Sequence, residues 1–179
     1  MKTLILNGSP RKSGDSAFLL SEFKRHHSGE IIELSAYYDK IAPCNDCRAC
    51  YHAPRCVIQD DMAKIYADDF DKIVLAAPIY MCTLPGPMVS LISRLQVHFS
   101  ASRFLGQPIA VRPKTAALFL CGGGSGKPDA AISLAKLFFS HLKAQLPKEN
   151  IVLSLDTDQN PAHTDAPAIA QVEAIARAW

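Results

Sequence analysis

Five short runs of aliphatic residues occur along the chain, separated by segments in which apolar residues recur at helical spacing. The runs are continuous rather than alternating, which is typical of strands buried on both faces of a parallel sheet. They lie at residues 3–8, 30–36, 72–80, 115–123 and 150–157. The intervening pattern predicts helices at residues 15–27, 60–69, 87–99, 129–146 and 165–179. Strands that alternate with helices predict an α/β fold with a doubly wound, five-stranded parallel sheet.

The same pattern runs through the whole chain without a break. The 179 residues are 49% hydrophobic and 20% charged, which is ordinary for a globular protein. Residues 100–113 are interpreted as a loop rather than a linker between domains. We therefore predict one domain over residues 1–179, with a cysteine-rich loop inserted at residues 42–58.

Net charge and apolar segments limit the possible partners. A net charge of +2 is too small to indicate a nucleic-acid or acidic membrane partner. The first apolar run, Leu4 to Leu6, is too short for a signal peptide, and no stretch approaches the roughly 20 apolar residues that cross a bilayer. We expect a cytoplasmic protein whose cysteines are reduced unless they serve chemistry.

The loop after the first strand combines small, hydroxyl and basic residues. In a doubly wound sheet, ligands bind at the carboxyl ends of the strands, where this loop lies. Its polar side chains are those of Ser9, Arg11, Lys12, Ser13 and Ser16. A helix N-terminus with free amides, hydroxyls and an arginine predicts a phosphate site. The alternative is a plain strand–helix turn in which Asp15 is the N-cap.

Two common nucleotide motifs are absent from the sequence. The first loop does not have the G-x-G-x-x-G spacing of dinucleotide-binding proteins. Residues 121–128 do not form a Walker A loop, because Cys121 stands at its first glycine and Pro128 stands where a hydroxyl would hold magnesium. NTPase activity is therefore disfavoured.

Four of the six cysteines lie within thirteen residues, with the spacing C-x2-C-x2-C-x5-C. They are Cys44, Cys47, Cys50 and Cys56. Zinc sites more often use two separated C-x2-C pairs, whereas a run of C-x2-C steps is typical of a loop that wraps a [4Fe–4S] cluster. We favour the cluster, and leave redox thiols or a disulfide, zinc, and no bound group as alternatives.

Three motifs in order resemble a known family. They read LNGSPRKSGDS, then a cysteine loop ending in CVIQDDM, then DKIVLAAPIYMCTLPGPMVSLISRL. Over about residues 1–125 the chain resembles the flavodoxin-like NAD(P)H-dependent FMN reductases, and within them the iron–sulfur flavoproteins. The resemblance implies a flavodoxin-like sheet of order 2-1-3-4-5 with helices on both faces, bound FMN, and NAD(P)H as electron donor.

The resemblance also implies roles for three loops. The first loop would bind the FMN phosphate through Ser9, Arg11, Lys12, Ser13 and Ser16. The loop after the third strand would contact the isoalloxazine ring through Pro78, Ile79, Tyr80, Met81 and Cys82. The loop after the fourth strand would contact the pyrimidine side of the ring through Cys121, Gly122, Gly123 and Gly124. The four cysteines of the inserted loop would hold the cluster, and no side chain is identified as a general acid or base.

Simpler interpretations stand beside these roles. Tyr80 and Met81 would merely cover the end of the sheet, and the glycines would form a flexible loop. Cys82 and Cys121 are interpreted as small buried residues rather than redox thiols. The acidic residues at 60 and 61 are interpreted as supplying negative charge to a helix N-terminus.

Asp15 departs from the family pattern, which often has an amide residue at this position. A carboxylate about 4 Å from a phosphate would cost on the order of 4 kcal/mol at an effective dielectric constant of 20. We therefore expect Asp15 to point away from the phosphate site, or to be offset by Arg11 and Lys12.

The favoured function is that of an FMN-dependent oxidoreductase. Electrons would pass from NAD(P)H through the flavin, with the cluster, to a small-molecule or protein acceptor. The family resemblance implies a homodimer or homotetramer. One rival is a non-enzymatic flavin and iron–sulfur electron carrier, and another is a thiol- or metal-binding module that has lost FMN.

Overall fold

Strands and helices alternate along the chain in the computed structural model, which describes residues 1–124 and 126–179. The strands are β1 (Lys2–Asn7), β2 (Glu30–Ser35), β3 (Lys72–Pro78), β4 (Lys114–Cys121), β5 (Ala144–Gln145) and β6 (Ile151–Ser154). The helices are α1 (Asp15–His26), α2 (Ala63–Tyr66), α3 (Gly86–Ser93), α4 (Gln96–Leu105), α5 (Asp129–His141) and α6 (Ala166–Ala178). Short 3-10 helices lie at Ala49–Tyr51, Lys148–Asn150 and Ala162–Thr164. Within the described residues, no helix has the length and apolarity needed to span a membrane.

All strands pair in parallel, in the order β2-β1-β3-β4 followed by β5 and β6. Both β5 and β6 pair with β4, β5 at its beginning and β6 at its end. The predicted order 2-1-3-4-5 is confirmed, except that the fifth position holds two short strands because the 3-10 helix Lys148–Asn150 separates them. The strand order reverses between β1 and β3, so this edge of the sheet is the expected ligand site.

Successive residues of each strand enter two separate hydrophobic layers. Leu4 and Leu6 of β1 pack on one side of the sheet, and Ile5 packs on the other. The first layer includes α3 and α5, and the second includes α1 and α6. Because both faces are covered, the central residues of the inner strands β1, β3 and β4 are apolar on both sides, which explains the continuous runs in the sequence.

The predicted helix over residues 87–99 was wrong in its bounds. The structure has α3 and α4 instead, and α4 continues to Leu105, inside the segment predicted to be a loop. The break lies at Arg94 and Leu95, whose amides bond three residues back, to Leu91 and Ile92, and tighten the chain. No proline or glycine marks this point, and Arg94, whose side chain is buried, lies at the break.

Two further predicted helices are shorter than expected. The helix predicted at residues 60–69 is reduced to the single turn of α2. The helix predicted at residues 129–146 ends at His141, and Lys143 at φ +50° turns the chain into β5. After α5, apolar residues continue through Leu142, Ala144 and Leu146, beyond the point at which the backbone bends to rejoin the sheet.

Gly8 follows β1 at a point of close packing. A Cβ atom at this position would lie 2.8 Å from Ala77 Cβ and 3.0 Å from Met88 Cε. We expect Gly8→Ala to lower the free energy of unfolding by about 1–3 kcal/mol, because these buried groups would have to move. Urea denaturation would measure the change.

Gly86 provides the matched control for that substitution. An added Cβ at Gly86 would meet no atom within 4 Å. Gly86→Ala lies at the start of α3 and should be neutral, or stabilising by up to about 1 kcal/mol. Equal losses in the two variants would contradict the packing explanation.

Candidate functional site

A cleft of about 220 Å³ opens at the carboxyl ends of β1, β3, β4 and β6. Its walls are formed by Ser9, Pro10, Arg11, Asp15, Ser16, Pro78, Ile79, Tyr80, Cys121, Gly123, Thr157 and Asp158. The cleft therefore spans the point at which the strand order reverses, where doubly wound sheets bind ligands.

Eight of the residues predicted to contact flavin line this cleft. They are Ser9, Arg11, Ser16, Pro78, Ile79, Tyr80, Cys121 and Gly123. The cleft walls do not include Lys12, Ser13, Met81, Cys82, Gly122 or Gly124. Ser13 lines a neighbouring open depression that Arg11 and Asp15 also border. The binding roles of all these residues stay predictions.

Thr157 and Asp158 were missed by the sequence analysis. They follow the last strand, so the rule that ligands contact the carboxyl ends of strands would have found them. The amides of Thr157 and Asp158 donate to the carbonyl oxygens of Gly122 and Gly123 at 3.0 and 3.3 Å. A Cβ at Gly123 would lie 2.7 Å from Asp158 Oδ1, so a larger residue there would displace the Asp158 carboxylate.

The loop after β1 is held closed by its own side chains. Asn7 Oδ1 accepts from the amide of Ser9 at 3.0 Å, and the Ser9 hydroxyl donates to the carbonyl oxygen of Arg11 at 2.7 Å. The N-cap of α1 is Gly14, which offers no side-chain acceptor, so the interpretation of Asp15 as N-cap was wrong. The amides of the first turn of α1 therefore lack a capping side chain and are suited to an anion.

Asp15 is engaged by two other groups. Its Oδ1 accepts from the amide of Ala162 at 3.0 Å, and its Oδ2 lies 3.5 Å from the guanidinium of Arg11. The carboxylate is thus tied to the 3-10 helix after β6 and paired with the cation of the loop. Lys12 lies elsewhere, with Nζ 5.3 Å from the centre of the Tyr38 ring. Of the two proposed offsetting cations, only Arg11 contacts Asp15.

A tight two-residue turn follows β3. The amides of Tyr80 and Thr83 each donate to the carbonyl oxygen of the other, at 2.9 and 3.0 Å. Met81 and Cys82 between them have φ values of +49° and +63°, a left-handed conformation that costs about 1–2 kcal/mol for each residue with a side chain. The interpretation of Cys82 as buried was wrong, because the residue is exposed in this turn.

Cys121 lies at the opposite wall and is buried, as predicted. Burial is the main cause that raises the pKa of its thiol to about 12, and a hydrogen bond with Ser16 lowers it in part. The carboxylates of Asp15 and Asp165 raise the pKa further. The thiol therefore stays neutral at physiological pH and is a poor nucleophile.

The raised pKa of Cys121 predicts a loss of stability in alkali. An unfolded thiol ionises above about pH 8.5, whereas the folded thiol keeps its proton to about pH 12, so the folded state binds more protons in this window. Stability should fall as the pH rises, and this group contributes about 1–2 kcal/mol of loss between pH 8.5 and pH 10. In the Cys121→Ala variant, the free energy of unfolding should fall less steeply with pH by this amount. Urea unfolding measured at several pH values from 8.5 to 10 would show the difference.

Cys82→Ala is the control for that measurement, because Cys82 is exposed. It should retain the alkaline slope of the unsubstituted protein. A Cys121→Ala variant with an unchanged slope would show that other groups cause the alkaline loss.

The four cysteines of the inserted loop surround a second, much smaller cavity of about 20 Å³. Cys44 and Cys47 are exposed, whereas Cys50 and Cys56 are partly buried. In the described residues, no three of these thiols lie within 4.8 Å of one another. The four sulfur ligands of a zinc ion would lie about 3.8 Å apart, so the loop does not have the arrangement of a closed zinc site.

A buried ion pair lies beneath this loop. The side chain of Arg94 is fully buried, and its Nη1 lies 2.5 Å from Asp60 Oδ2. Burial opposes ionisation of Asp60, but the hydrogen bond from Arg94 and the amides of Ala42 and Met62 together lower its pKa. Asp60 accepts a hydrogen bond from the Met62 amide, as a residue at a helix N-terminus does. The prediction was incomplete because Asp60 also pairs with Arg94.

Arg94 was missed by the sequence analysis although a signal was present. A charged residue stands there between Ile92 and Leu95, inside an apolar helical segment. Its guanidinium donates to the carbonyl oxygens of Ala42 and Ile58 and to Cys56 Sγ, at 2.9, 3.2 and 3.3 Å. An arginine that interrupts an apolar stripe is expected to have buried partners of this kind.

Comparison with known proteins gives one family match, over residues 1–158, to the NADPH-dependent FMN reductases. An iron-sulfur flavoprotein of Methanosarcina thermophila is 33% identical over 99 residues, or 52% of each chain. A second, of Archaeoglobus fulgidus, is 27% identical over 134 residues, covering 72% of this chain and 58% of the relative. The chain thus spans about half to three fifths of the length of these relatives.

Solved structures share the fold at low sequence identity. The azoreductase AzrA has a TM-score of 0.71 at 17% identity, with both chains fully covered. An NAD(P)H:quinone oxidoreductase of Methanothermobacter marburgensis has a TM-score of 0.72 at 10% identity, covering 99% of this chain and 96% of that one. A Bacillus anthracis FMN-dependent NADH-azoreductase in complex with FMN has a TM-score of 0.65 at 14% identity, covering 98% of each chain. These matches support the flavodoxin-like fold.

Proposed function

Because this chain belongs to the NADPH-dependent FMN reductase family, as the sequence resemblance predicted, we propose that it is an FMN-dependent oxidoreductase that takes electrons from NAD(P)H. The single observation that most supports this function is the cleft at the point where the strand order reverses. Its walls include the uncapped N-terminus of α1 and the side chain of Arg11. FMN would supply the redox chemistry, and the chain would bind and orient it.

The phosphate end of FMN fits the loop after β1. The uncapped first turn of α1 offers backbone amides and the positive end of the helix dipole. Arg11 is 71% exposed at its side chain and its pair with Asp15 is long at 3.5 Å, so the guanidinium is free to turn toward a phosphate. The hydroxyl of Ser9 is engaged inside the loop, so it would shape the site rather than bind the anion.

The ring of FMN fits the turn after β3. The amide of Ile79 donates to the carbonyl oxygen of Cys121, and that of Tyr80 donates within the turn. The amides of Met81 and Cys82, by contrast, donate to no protein group in the described part of the chain. Neither residue lines the cleft, so the turn would present these two donors at the rim of the cleft beside Tyr80, where they would stabilise negative charge on the polar edge of a flavin.

We propose that the inserted loop binds a [4Fe–4S] cluster through Cys44, Cys47, Cys50 and Cys56. In support, all four residues border one cavity, and a cluster needs four thiolates spread more widely than those of a single ion. The cavity of about 20 Å³ has room for about one water molecule, so the exposed cysteines would move outward when the cluster is bound.

We also propose that the acceptor is a small molecule or a protein and that the chain forms a homodimer or homotetramer. Phe99 and Phe104 of α4 support a subunit contact, since they are 47% and 49% exposed and large aromatic side chains favour interfaces.

Anaerobic purification followed by flavin, iron and sulfide assays would test this function. We expect one FMN per chain, acid-labile sulfide, and oxidation of NADPH or NADH with an artificial acceptor such as ferricyanide. Failure to take up added FMN would contradict the proposal. Bound FMN and iron without any pyridine-nucleotide oxidation would instead favour a non-enzymatic electron carrier.

A further inference from the structure

The carboxyl end of α3 contacts both ends of the cysteine loop. Ser93 Oγ accepts from the amide of Cys44, the first cysteine of the loop, at 3.1 Å. Arg94 donates to the carbonyl oxygens of Ala42 and Ile58, which lie before the first and after the last cysteine. Two consecutive residues therefore hold the entry and the exit of the loop together.

The same helix begins beside the proposed flavin cleft. α3 starts at Gly86, three residues after the turn that ends at Thr83. Its eight residues make a rigid rod about 12 Å long, and its side chains Met88, Leu91 and Ile92 are buried in the core. The helix thus joins the loop that follows β3 to the cysteine loop.

Asp60 uses only some of the N–H donors of Arg94. The carboxylate of Asp60 balances the guanidinium, and its contact is made through Nη1. Nη2 is directed instead to Cys56 Sγ, at 3.3 Å, and to the carbonyl oxygen of Ile58. A buried ion pair alone adds little stability relative to apolar residues of the same size, so the hydrogen bonds to the two loop carbonyl oxygens and to sulfur are further reasons for an arginine here.

We propose that Arg94 is a positioning residue for the four-cysteine site: it holds Cys56 in place, and its hydrogen bond to Sγ stabilises negative charge there. This inference rests on the proposed cluster. Hydrogen bonds to the ligand sulfurs are among the factors that set the reduction potential of such a cluster. A donor with a permanent positive charge favours the reduced form, which carries one more electron, and so raises that potential.

Arg94→Lys is the sharpest test, because it keeps a cation beside Asp60 but loses the forked donor that reaches sulfur. The matched control is Arg48→Lys within the same loop, where the side chain is 67% exposed and the guanidinium contacts Asp46. Each purified protein would be reconstituted anaerobically with iron and sulfide. Iron content, the urea unfolding midpoint and the cluster's potential in a redox titration would then be measured.

We expect Arg94→Lys to fold and to bind iron, with the equilibrium constant for one-electron reduction lowered about tenfold, or about 59 mV. Arg48→Lys should match the unsubstituted protein. An unchanged potential in an iron-loaded Arg94→Lys variant would overturn this inference about Arg94 but not the proposed cluster. If Arg94→Lys fails to fold, the double variant Arg94→Met with Asp60→Asn takes its place. This variant removes both charges, and we expect the same fall in the reduction potential of the cluster. An unsubstituted protein without iron and sulfide would overturn the proposed cluster and this inference together.

Discussion

Replacing Asp60 with alanine is expected to lower the free energy of unfolding by about 3–5 kcal/mol, because it leaves the guanidinium of Arg94 as a buried charge without a counterion. The Arg94 side chain is fully buried and that of Asp60 is 8% exposed, so solvent screens the remaining charge poorly. The substitution also removes the acceptor of the Ala42 and Met62 amides. Urea denaturation at pH 7, followed by circular dichroism, would measure the loss.

Asp61→Ala is the matched control, since Asp61 is 35% exposed at its side chain and its nearest cation, Lys64, lies 3.7 Å away. It loses that ion pair and the hydrogen bond that the Lys40 amide donates to Asp61 Oδ2 at 2.8 Å, and should cost about 1 kcal/mol. A similarly small cost for Asp60→Ala would contradict the view that the buried pair matters to folding.

The effect of Asp60 should also depend on pH. Its pKa is lowered in the folded state, so the folded protein binds fewer protons at this site than the unfolded chain, whose value is about 3.9. The stabilisation is therefore fully present above about pH 4 and is lost as the pH falls through the lowered pKa. The difference in stability between the unsubstituted protein and Asp60→Ala should shrink in acid.

Replacing Arg11 with glutamine is expected to weaken FMN binding about 10- to 100-fold. A hydrogen bond to a charged group contributes about 1.5–3 kcal/mol, and Arg11 is the cation in the cleft wall. The affinity of the flavin-free protein for FMN would be measured by fluorescence titration. Riboflavin, which lacks the phosphate, should bind the variant and the unsubstituted protein equally.

Asp15→Asn is the companion variant for Arg11→Gln. The asparagine oxygen can still accept from the Ala162 amide, while the negative charge beside the phosphate loop is removed and Arg11 is released. FMN should bind this variant more tightly than it binds the unsubstituted protein. Riboflavin should bind the two proteins equally. A loss of riboflavin affinity in Arg11→Gln equal to the loss for FMN would show that Arg11 does not act on the phosphate.

The sheet could be predicted from the sequence because its signal is local. Residues such as Leu4, Ile5 and Leu6 are buried on both faces, so each strand is marked by an unbroken apolar run. The cleft followed from the same pattern, since ligands bind where strands end. Its loops were therefore found without knowledge of side-chain positions, and the strand order followed from the family resemblance.

The interactions that could not be predicted join residues that are distant in sequence. Asp15 is bonded to the amide of Ala162, 147 positions away, and no local pattern reports that contact. Arg94 lies at a helix break that the apolar periodicity does not mark, and its partners Ala42 and Asp60 lie in other segments. Cys82 was misjudged because its exposure depends on a left-handed turn in residues that rarely form one.

The split fifth position of the sheet affects how copies of this chain can associate. A long edge strand presents a row of unpaired amides and carbonyls to which a strand of another molecule can add, the usual route to sheet-extended dimers and to aggregation. Here that edge consists of two residues of β5 and four of β6, interrupted by Pro147 and a 3-10 helix. The addition of a strand from another molecule is therefore disfavoured at this edge. Self-association on this side should use helix surfaces rather than a continuous intermolecular sheet.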